Sequence, residues 1–388
     1  MDPFDFQNQT RFIFGEGAIS QLGDLASAFR PRCVLVVSDR GIMEAGHDAA
    51  ALRSLHDAGL EVASFHDFGE NPTSAMVEAG VRKAAEVKPD LLVGLGGGSS
   101  MDCCKGINFV YSCGGRIHDY HGVGKATSDM LPMIAIPTTG GTGSEAQSFA
   151  LISDAETHVK MACGDKRAAC RIAILDPVLT LTQPEEVTAL TGIDAISHAL
   201  ETYVSKRRNT ISTTYSRRAF GLLAQGFSRV LSHPDDLEAR CQMQVGACLA
   251  GMAIETSMLG AAHATANPLT ARFDVTHGQA VGMMLPAVIR MNGSVYANWY
   301  AELMREVDAS VTVEQSPDQL AEMVIQWLRE AKLKASLEEL NIPQDGIDGC
   351  IEDALKQWTG TFNPVPLDAG RVRNLYLATT RVDPSPTV

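Results

Sequence analysis

An α/β domain followed by an all-helical domain is the architecture this sequence predicts, and two observations carry it. Through the first half, short apolar runs rich in β-branched residues alternate with helical stretches, the pattern that builds a parallel sheet covered by helices. From about Pro184 onward apolar residues recur at helical spacing and β-branched runs become rare, so the second half is expected to be nearly all helix. A chain of 388 residues is longer than a single hydrophobic core usually grows, which agrees with two domains. The join is placed between Asp176-Pro177 and Gln183-Pro184, where prolines interrupt either pattern, giving domains of residues 1–182 and 183–388. A cleft between two such halves is a common place for a small-molecule site.

The expected strands are Cys33 to Val37, Val62 to Phe65, Leu91 to Leu95, Met133 to Ile136 and Ile172 to Leu175. Ser148 to Ser153 and His158 to Ala162 flank the polar Asp154-Ala155-Glu156-Thr157 and read as a β-hairpin. No internal repeat is visible, and a tail at Asp383-Pro384-Ser385-Pro386 is expected to fray.

Composition excludes several classes. With 45% hydrophobic and 20% charged residues the chain is too apolar to be disordered. No run of about 18 apolar residues is present to span a bilayer. The start, Met1-Asp2-Pro3-Phe4-Asp5, lacks the basic and apolar regions of a secretory signal, so a cytoplasmic protein is expected. Nine cysteines, an odd number without repeated C-x-x-C spacing, read as reduced thiols. A net charge of -14 disfavours nucleic acid as a partner, and the short Lys206-Arg207-Arg208 cluster reads as a solvated helix end.

Leu91-Leu92-Val93-Gly94-Leu95 runs into Gly96-Gly97-Gly98-Ser99-Ser100-Met101-Asp102, and a helix-forming segment, Cys103 to Val110, follows. Strand, glycine turn and helix start together make an anion site, since backbone N–H groups and the helix dipole favour a diphosphate and glycine lets it approach. Taken alone, the same run also makes a simple tight turn. The strict G-x-G-x-x-G spacing is absent, and Gly122-Val123-Gly124-Lys125-Ala126 is no Walker A loop, which argues against a nucleoside triphosphate. Asp39, just after the first expected strand, is placed to bond an adenosine ribose and repel a 2′-phosphate, favouring NAD over NADP. It reads equally as a helix N-cap.

Thr191-Gly192-Ile193-Asp194-Ala195-Ile196-Ser197-His198 puts a carboxylate and an imidazole four residues apart on one helix face. Gly260-Ala261-Ala262-His263 and Thr276-His277-Gly278 add two imidazoles fourteen residues apart, with Pro268 between, so different helices are expected to bring them together. One Asp with three His suits Fe(II) or Zn(II) and not calcium. Any one of these histidines by itself reads as readily as a packed core residue. Of the ten in the chain, His47, His56, His66, His118, His121, His158 and His233 are taken as structural or surface groups.

In order along nearly the whole chain, the motifs resemble those of the iron-containing (group III) alcohol dehydrogenases. They are Phe14-Gly15-Glu16-Gly17-Ala18, Asn71-Pro72-Thr73, the run from Gly96 through Asp102 to Cys103-Cys104-Lys105, Pro137-Thr138-Thr139-Gly140-Gly141-Thr142-Gly143-Ser144-Glu145, Asp176-Pro177, and the segment holding Asp194 and His198. The resemblance implies a Rossmann-like dinucleotide-binding domain followed by a helical metal-binding domain. It implies Asp194, His198, His263 and His277 as ligands of Fe(II), with Zn(II) possible. It places Gly96, Gly97, Gly98, Ser99 and Asp102 at the NAD diphosphate turn, Thr138, Thr139, Thr142, Lys160 and Leu179 along the cofactor, and Asn71 and Asp39 toward its adenosine end. The partners implied are a small alcohol or aldehyde and further copies of the chain, in a homodimer or larger homo-oligomer, with no nucleic acid and no membrane.

One departure concerns catalysis. The family often carries a histidine four residues after the third ligand, near the nicotinamide, and Asn267 stands there in this chain. The expected reaction is hydride transfer between NAD(H) and a small primary alcohol or diol and its aldehyde. The alternatives are a lyase resembling dehydroquinate synthase, for which no basic substrate cluster is seen, and a non-catalytic nucleotide-binding protein. Phe149, Ala253, Leu259 and Phe362 are candidate pocket walls and read as readily as core.

Overall fold

The computed structural model describes residues 4–380; the tail Asp383 to Pro386 lies outside them. The chain divides into two compact units, Gln7–Gln183 and a second that joins the segment ending at Phe6 to everything from Pro184 onward. In this second unit the Phe6 ring lies 6.0 Å from that of Tyr215, an attachment not apparent from the sequence.

In the first unit the strands β1 (Arg11–Phe14), β2 (Cys33–Val37), β3 (Glu61–Phe65), β4 (Leu91–Gly96), β6 (Met133–Pro137) and β9 (Ile172–Leu175) form one parallel sheet in the order β3-β2-β4-β6-β9-β1. Helices α1 (Leu22–Ser27), α2 (Arg40–Glu44), α3 (His47–Asp57), α4 (Ser74–Val87) and α5 (Gly98–Cys113) connect them. Parallel strands are buried on both faces, which is why they stand out as continuous apolar runs. Val34, Val36, Val93, Leu95 and Ile134 pack with Leu22, Ala26, Ala51 and Leu55 of α1 and α3. The alternate residues Leu35, Val37, Leu92 and Met133 pack with Ala84, Met101, Cys104 and Ile107 of α4 and α5. Strand β1, absent from the expected set, pairs with β9 in the register Arg11 to Ile172.

A smaller sheet has the order β5-β8-β7, made of β5 (Gly122–Val123), β7 (Phe149–Ser153) and β8 (Lys160–Gly164). Strands β7 and β8 are the antiparallel hairpin that was expected, with Ser153 opposite Lys160. Strand β8 starts later than expected because Asp154 Oδ1 accepts from the amides of Glu156 (3.0 Å) and Thr157 (2.6 Å), and His158 is left-handed at φ 60°. These bonds hold the turn out of the ladder.

The chain steps from β2 outward to β3 and returns on the other side of β2 as β4. This reversal opens a crevice at the carboxyl ends of β2 and β4, where open α/β sheets bind ligands.

The second unit consists of α6 (Glu185–Val204), α7 (Thr210–Ser232), α8 (Leu237–Ser257), α9 (Ala261–Phe273), α10 (His277–Met304), α11 (Ser316–Glu330), α12 (Ile347–Lys356) and α13 (Ala369–Ala378). Pro184 precedes α6, and Glu185 and Glu186 in its first turn complement the helix dipole. From Gly192 to Val204 every residue of α6 is buried, as befits a helix that others surround. Close approach to its neighbours depends on missing side chains. A Cβ at Gly278 would stand 2.2 Å from the Leu190 carbonyl oxygen, and one at Gly192 would stand 2.5 Å from the Phe227 ring. Helices α8 and α9 meet at 103°, turned at Met258, whose φ is 75°. Among the described residues no single helix is long and apolar enough to cross a membrane.

Candidate metal centre and cofactor turn

Helix α6 presents Asp194 and His198 one turn apart, α9 contributes His263 from its first turn, and α10 begins with His277. The absence of a side chain at Gly278 lets the start of α10 lie against the α6 backbone, and the bend before α9 turns His263 back toward α6. The Nε2 atoms of His198, His263 and His277 lie 3.3, 3.5 and 3.7 Å from Asp194 Oδ1. The His198 and His263 rings stack with centroids 5.0 Å apart, and His263 and His277 are 5.3 Å apart. Donor atoms of Asp194, His263 and His277 all lie within 4.8 Å of one another, and His198 joins them through its approach to Asp194.

These residues fit a metal ion. Donors bound tetrahedrally at about 2.0–2.2 Å stand about 3.4 Å apart. Asp194 Oδ1 and His263 Nε2 are buried with no hydrogen-bond partner, a costly arrangement that a shared cation would relieve. Side-chain exposure is 5–6% for Asp194, His198 and His263 but 26% for His277, which marks the open side of the centre.

The electrostatics agree. Burial alone would raise the Asp194 carboxyl, but His198, His263 and His277 outweigh it and hold the group well below the usual carboxylate range. Burial would push the His263 imidazolium down, yet Glu201 and Asp194 outweigh it and raise the group to about 9. The centre is therefore built to hold positive charge.

Of the expected cofactor residues, Asp39 follows the carboxyl end of β2 and Gly96 to Asp102 that of β4. Gly97 precedes α5, whose first turn is Gly98-Ser99-Ser100-Met101, so its opening amides are available to an anion. Gly96 has φ 141°, and a Cβ there would stand 2.3 Å from Ser100 Oγ. The threonine loop after β6 closes on this turn, with Thr142 Cγ2 only 2.6 Å from where a Gly98 Cβ would be and Thr139 3.3 Å from that of Gly97. Asn71, left-handed at φ 49°, donates its amide to Ser99 Oγ at 3.1 Å, and Lys160 Nζ reaches Asn71 Oδ1 at 3.4 Å. Leu179 is buried in the apolar layer over the sheet. Asp39 does cap α2, accepting from the Ile42 amide at 3.1 Å, while its other oxygen accepts from Ser100 Oγ at 2.9 Å.

Residues 9–177 match iron-containing alcohol dehydrogenase, and residues 188–380 match the C-terminal part of the Fe-containing alcohol dehydrogenase family. The chain belongs to the iron-containing alcohol dehydrogenase family. It is 33% identical over 377 residues to a choline dehydrogenase of Bacillus subtilis (strain 168), covering 96% of this chain and 94% of that one. The crystal structure of a 1,3-propanediol oxidoreductase superposes with a TM-score of 0.94 at 28% identity, covering 97% and 100% of the two chains. Sulfoacetaldehyde reductase from Bifidobacterium kashiwanohense, solved with NAD+, gives 0.89 at 25% identity over 99% and 100%. Like its family, the chain is a metal-dependent alcohol dehydrogenase that uses NAD.

Other expected residues fall as follows. Asn267 lies one turn after His263 and donates its amide to Gln357 Oε1 at 2.9 Å. Asp102 is partly buried and accepts from Ser144 Oγ at 2.9 Å; desolvation raises its carboxyl, with Lys105 and Ser144 opposing. Ala253 is core of α8, and Phe362 stacks edge-on against Trp358. His47, His66 and His118, left as structural, bond Thr182, Ser38 and Asp154.

Two residues of this iron-containing alcohol dehydrogenase escaped the sequence reading. Glu201, 3% exposed, stands 2.6 Å from His263 Nδ1 through Oε2. Its signal was the spacing Asp194, His198, Glu201, which continues one helix face. Fully buried Lys105 donates to the carbonyls of Ser144 (2.6 Å), Gln147 (2.8 Å) and Phe149 (3.0 Å) and meets Ser144 Oγ at 3.0 Å. Nothing local in the sequence separates it from an exposed lysine.

Proposed function

We propose that Asp194, His198, His263 and His277 hold one divalent ion, Fe(II) or alternatively Zn(II), and that the chain interconverts a small primary alcohol or diol and its aldehyde. The convergence of three imidazole Nε2 atoms on one buried carboxylate oxygen without a hydrogen-bond donor carries this reading. When bound, the ion supplies Lewis acidity to an alcohol oxygen and NAD supplies the hydride acceptor. A single carboxylate among neutral imidazoles leaves the centre net positive around a dication, which suits it to an oxygen that sheds its proton. His277, the most exposed of the four, leaves one side open to substrate. Asn267 has no group that titrates near neutral pH, so it orients neighbours by donating to Gln357 and relays no proton itself. The free cysteines and the absence of a single spanning helix among the described residues support a cytoplasmic enzyme, which we expect to work as a homodimer or larger homo-oligomer.

The test is NADH formation from ethanol, 1,3-propanediol and choline, and NADH consumption with the matching aldehydes, by Fe(II)- and Zn(II)-reconstituted protein. Substrate-dependent turnover that vanishes on metal removal is expected. Turnover that survives complete removal, or no turnover with any of these compounds, would bring the reading down.

Cofactor preference follows from Asp39. Its carboxylate stands just after β2 and accepts from Ser100 Oγ beside the glycine turn, where a 2′-phosphate would meet like charge. Asp39→Asn keeps a side chain that caps α2 and removes the charge. The ratio of kcat/KM for NADP to that for NAD is expected to rise about tenfold, equivalent to about 1.4 kcal/mol. An unchanged ratio would leave Asp39 as cap and Ser100 anchor alone.

A further inference from the structure

We propose that Glu201 is a positioning residue of the metal centre, fixing which nitrogen of His263 carries the proton and aiming the other at Asp194. The proposal rests on the reading of Asp194, His198, His263 and His277 as ligands. Glu201 follows Asp194 by seven residues and His198 by three, on the same face of α6. Both its oxygens are committed. Oε1 accepts from the Ala262 amide at 2.6 Å, and Oε2 lies 2.6 Å from His263 Nδ1.

As a carboxylate, Glu201 can only accept. Oε1 accepts the Ala262 backbone N–H, and Oε2 of the ionised group accepts the Nδ1 proton. In the neutral ring that a metal requires, this leaves the lone pair on Nε2, the buried atom without a hydrogen-bond partner, 3.5 Å from Asp194 Oδ1. A carboxylate behind a ligating histidine in this way fixes the tautomer and raises ring basicity. The same carboxylate meets the first turn of α9, where negative charge complements the helix dipole. Gly260 makes room: a Cβ there would stand 3.1 Å from Glu201 Oε1. One side chain thus docks the helix and orients the ligand that the helix carries.

Asn363 separates these two roles. Its Oδ1 accepts from the Ala261 amide at 3.2 Å, capping the same helix end, while the Nδ1 partner of His263 is Glu201. Glu201→Gln keeps the shape but turns one oxygen into NH2. Facing Nδ1, that NH2 drives the proton to Nε2, where it blocks a metal; facing Ala262, it sets donor against donor.

The experiment measures Zn(II) binding by the metal-stripped full chain against a chromophoric chelator, alongside NADH binding and thermal unfolding. Glu201→Gln is expected to raise the Zn(II) Kd about 10- to 100-fold with NADH affinity unchanged. Asn363→Ala is expected to lower Tm while its Zn(II) Kd stays within about threefold of the unmodified value, well short of the Glu201 effect. Unchanged Zn(II) affinity in Glu201→Gln, or an equal loss in Asn363→Ala, would overturn the positioning role. Failure of the unmodified chain to bind Zn(II) or Fe(II) would overturn the ligand reading beneath it. Should Glu201→Gln not fold, nitrogen NMR of the Zn(II)-loaded unmodified protein decides: a protonated Nδ1 on His263 supports the role, and metal bound through Nδ1 overturns it.

Discussion

His198→Ala is expected to strip the protein of its metal and lower kcat/KM for its alcohol substrate by about a thousandfold or more, while NADH still binds. Lewis-acid stabilisation is worth several kcal/mol, and each 1.36 kcal/mol is about tenfold in rate. His198 stands closest to Asp194 Oδ1 of the three imidazoles, at 3.3 Å, and its ring stacks on that of His263. Removing it takes away a donor and leaves a gap beside a buried carboxylate. The glycine turn belongs to the other compact unit, so NADH affinity is expected to stay near its original value. Metal analysis, fluorescence titration with NADH and steady-state kinetics read the three quantities separately. Full activity in a His198→Ala protein shown to be free of metal would sink the ligand assignment.

Lys105→Met is expected to cost about 3–5 kcal/mol of stability and to weaken NADH binding, with no direct effect on the metal. The methionine fills similar volume but leaves the carbonyls of Ser144, Gln147 and Phe149 without their buried donor. It also leaves the partly buried Asp102 without the neighbouring ammonium that opposes its desolvation. In a unit of this size the loss corresponds to a fall in Tm of roughly 6–20 °C. The segment released carries Thr139 and Thr142 onto the glycine turn, so the NADH Kd should rise with the loss of order. The deficit also depends on pH. Burial raises the Asp102 carboxyl above its unfolded value, so the folded protein binds the proton more tightly and stability falls as pH rises through the folded value. Without Lys105 that effect grows, and the difference in Tm between Lys105→Met and the unmodified protein should be larger at about pH 8 than at about pH 5. A Lys105→Met Tm equal to that of the unmodified protein at both pH values would mean that the ammonium does not hold the loop.

Much of the first unit was legible because a parallel sheet covered on both faces leaves little choice of residue. Runs such as Cys33 to Val37 and Leu91 to Leu95 are apolar on both alternating faces, and the glycine turn follows β4 because the backbone must turn sharply there. Strand β1 was not legible. Its sequence, Arg11-Phe12-Ile13-Phe14, is short, partly exposed and on the sheet edge, and its partner β9 lies more than 150 residues later. The hairpin was seen but its second strand was placed early, since only the bonds from Asp154 reveal that Glu156 to His158 are held in the turn.

The residue types of the metal centre are local facts, and the sequence by itself determined them: a carboxylate and an imidazole one helical turn apart, two further imidazoles downstream, and a glycine turn after an apolar strand. Tertiary structure alone decided that these donors meet. Convergence depends on how closely helices approach, at Gly278 against the Leu190 carbonyl and at the 103° bend before α9, and neither distance is written in any periodicity. It also decided the roles of Glu201, Lys105 and Asp39. Local sequence offers a charged side chain several environments, and only long-range packing chooses among them. Glu201 and Lys105 became buried partners of a ligand and a loop, while Asp39 became at once a helix cap and the carboxylate beside Ser100.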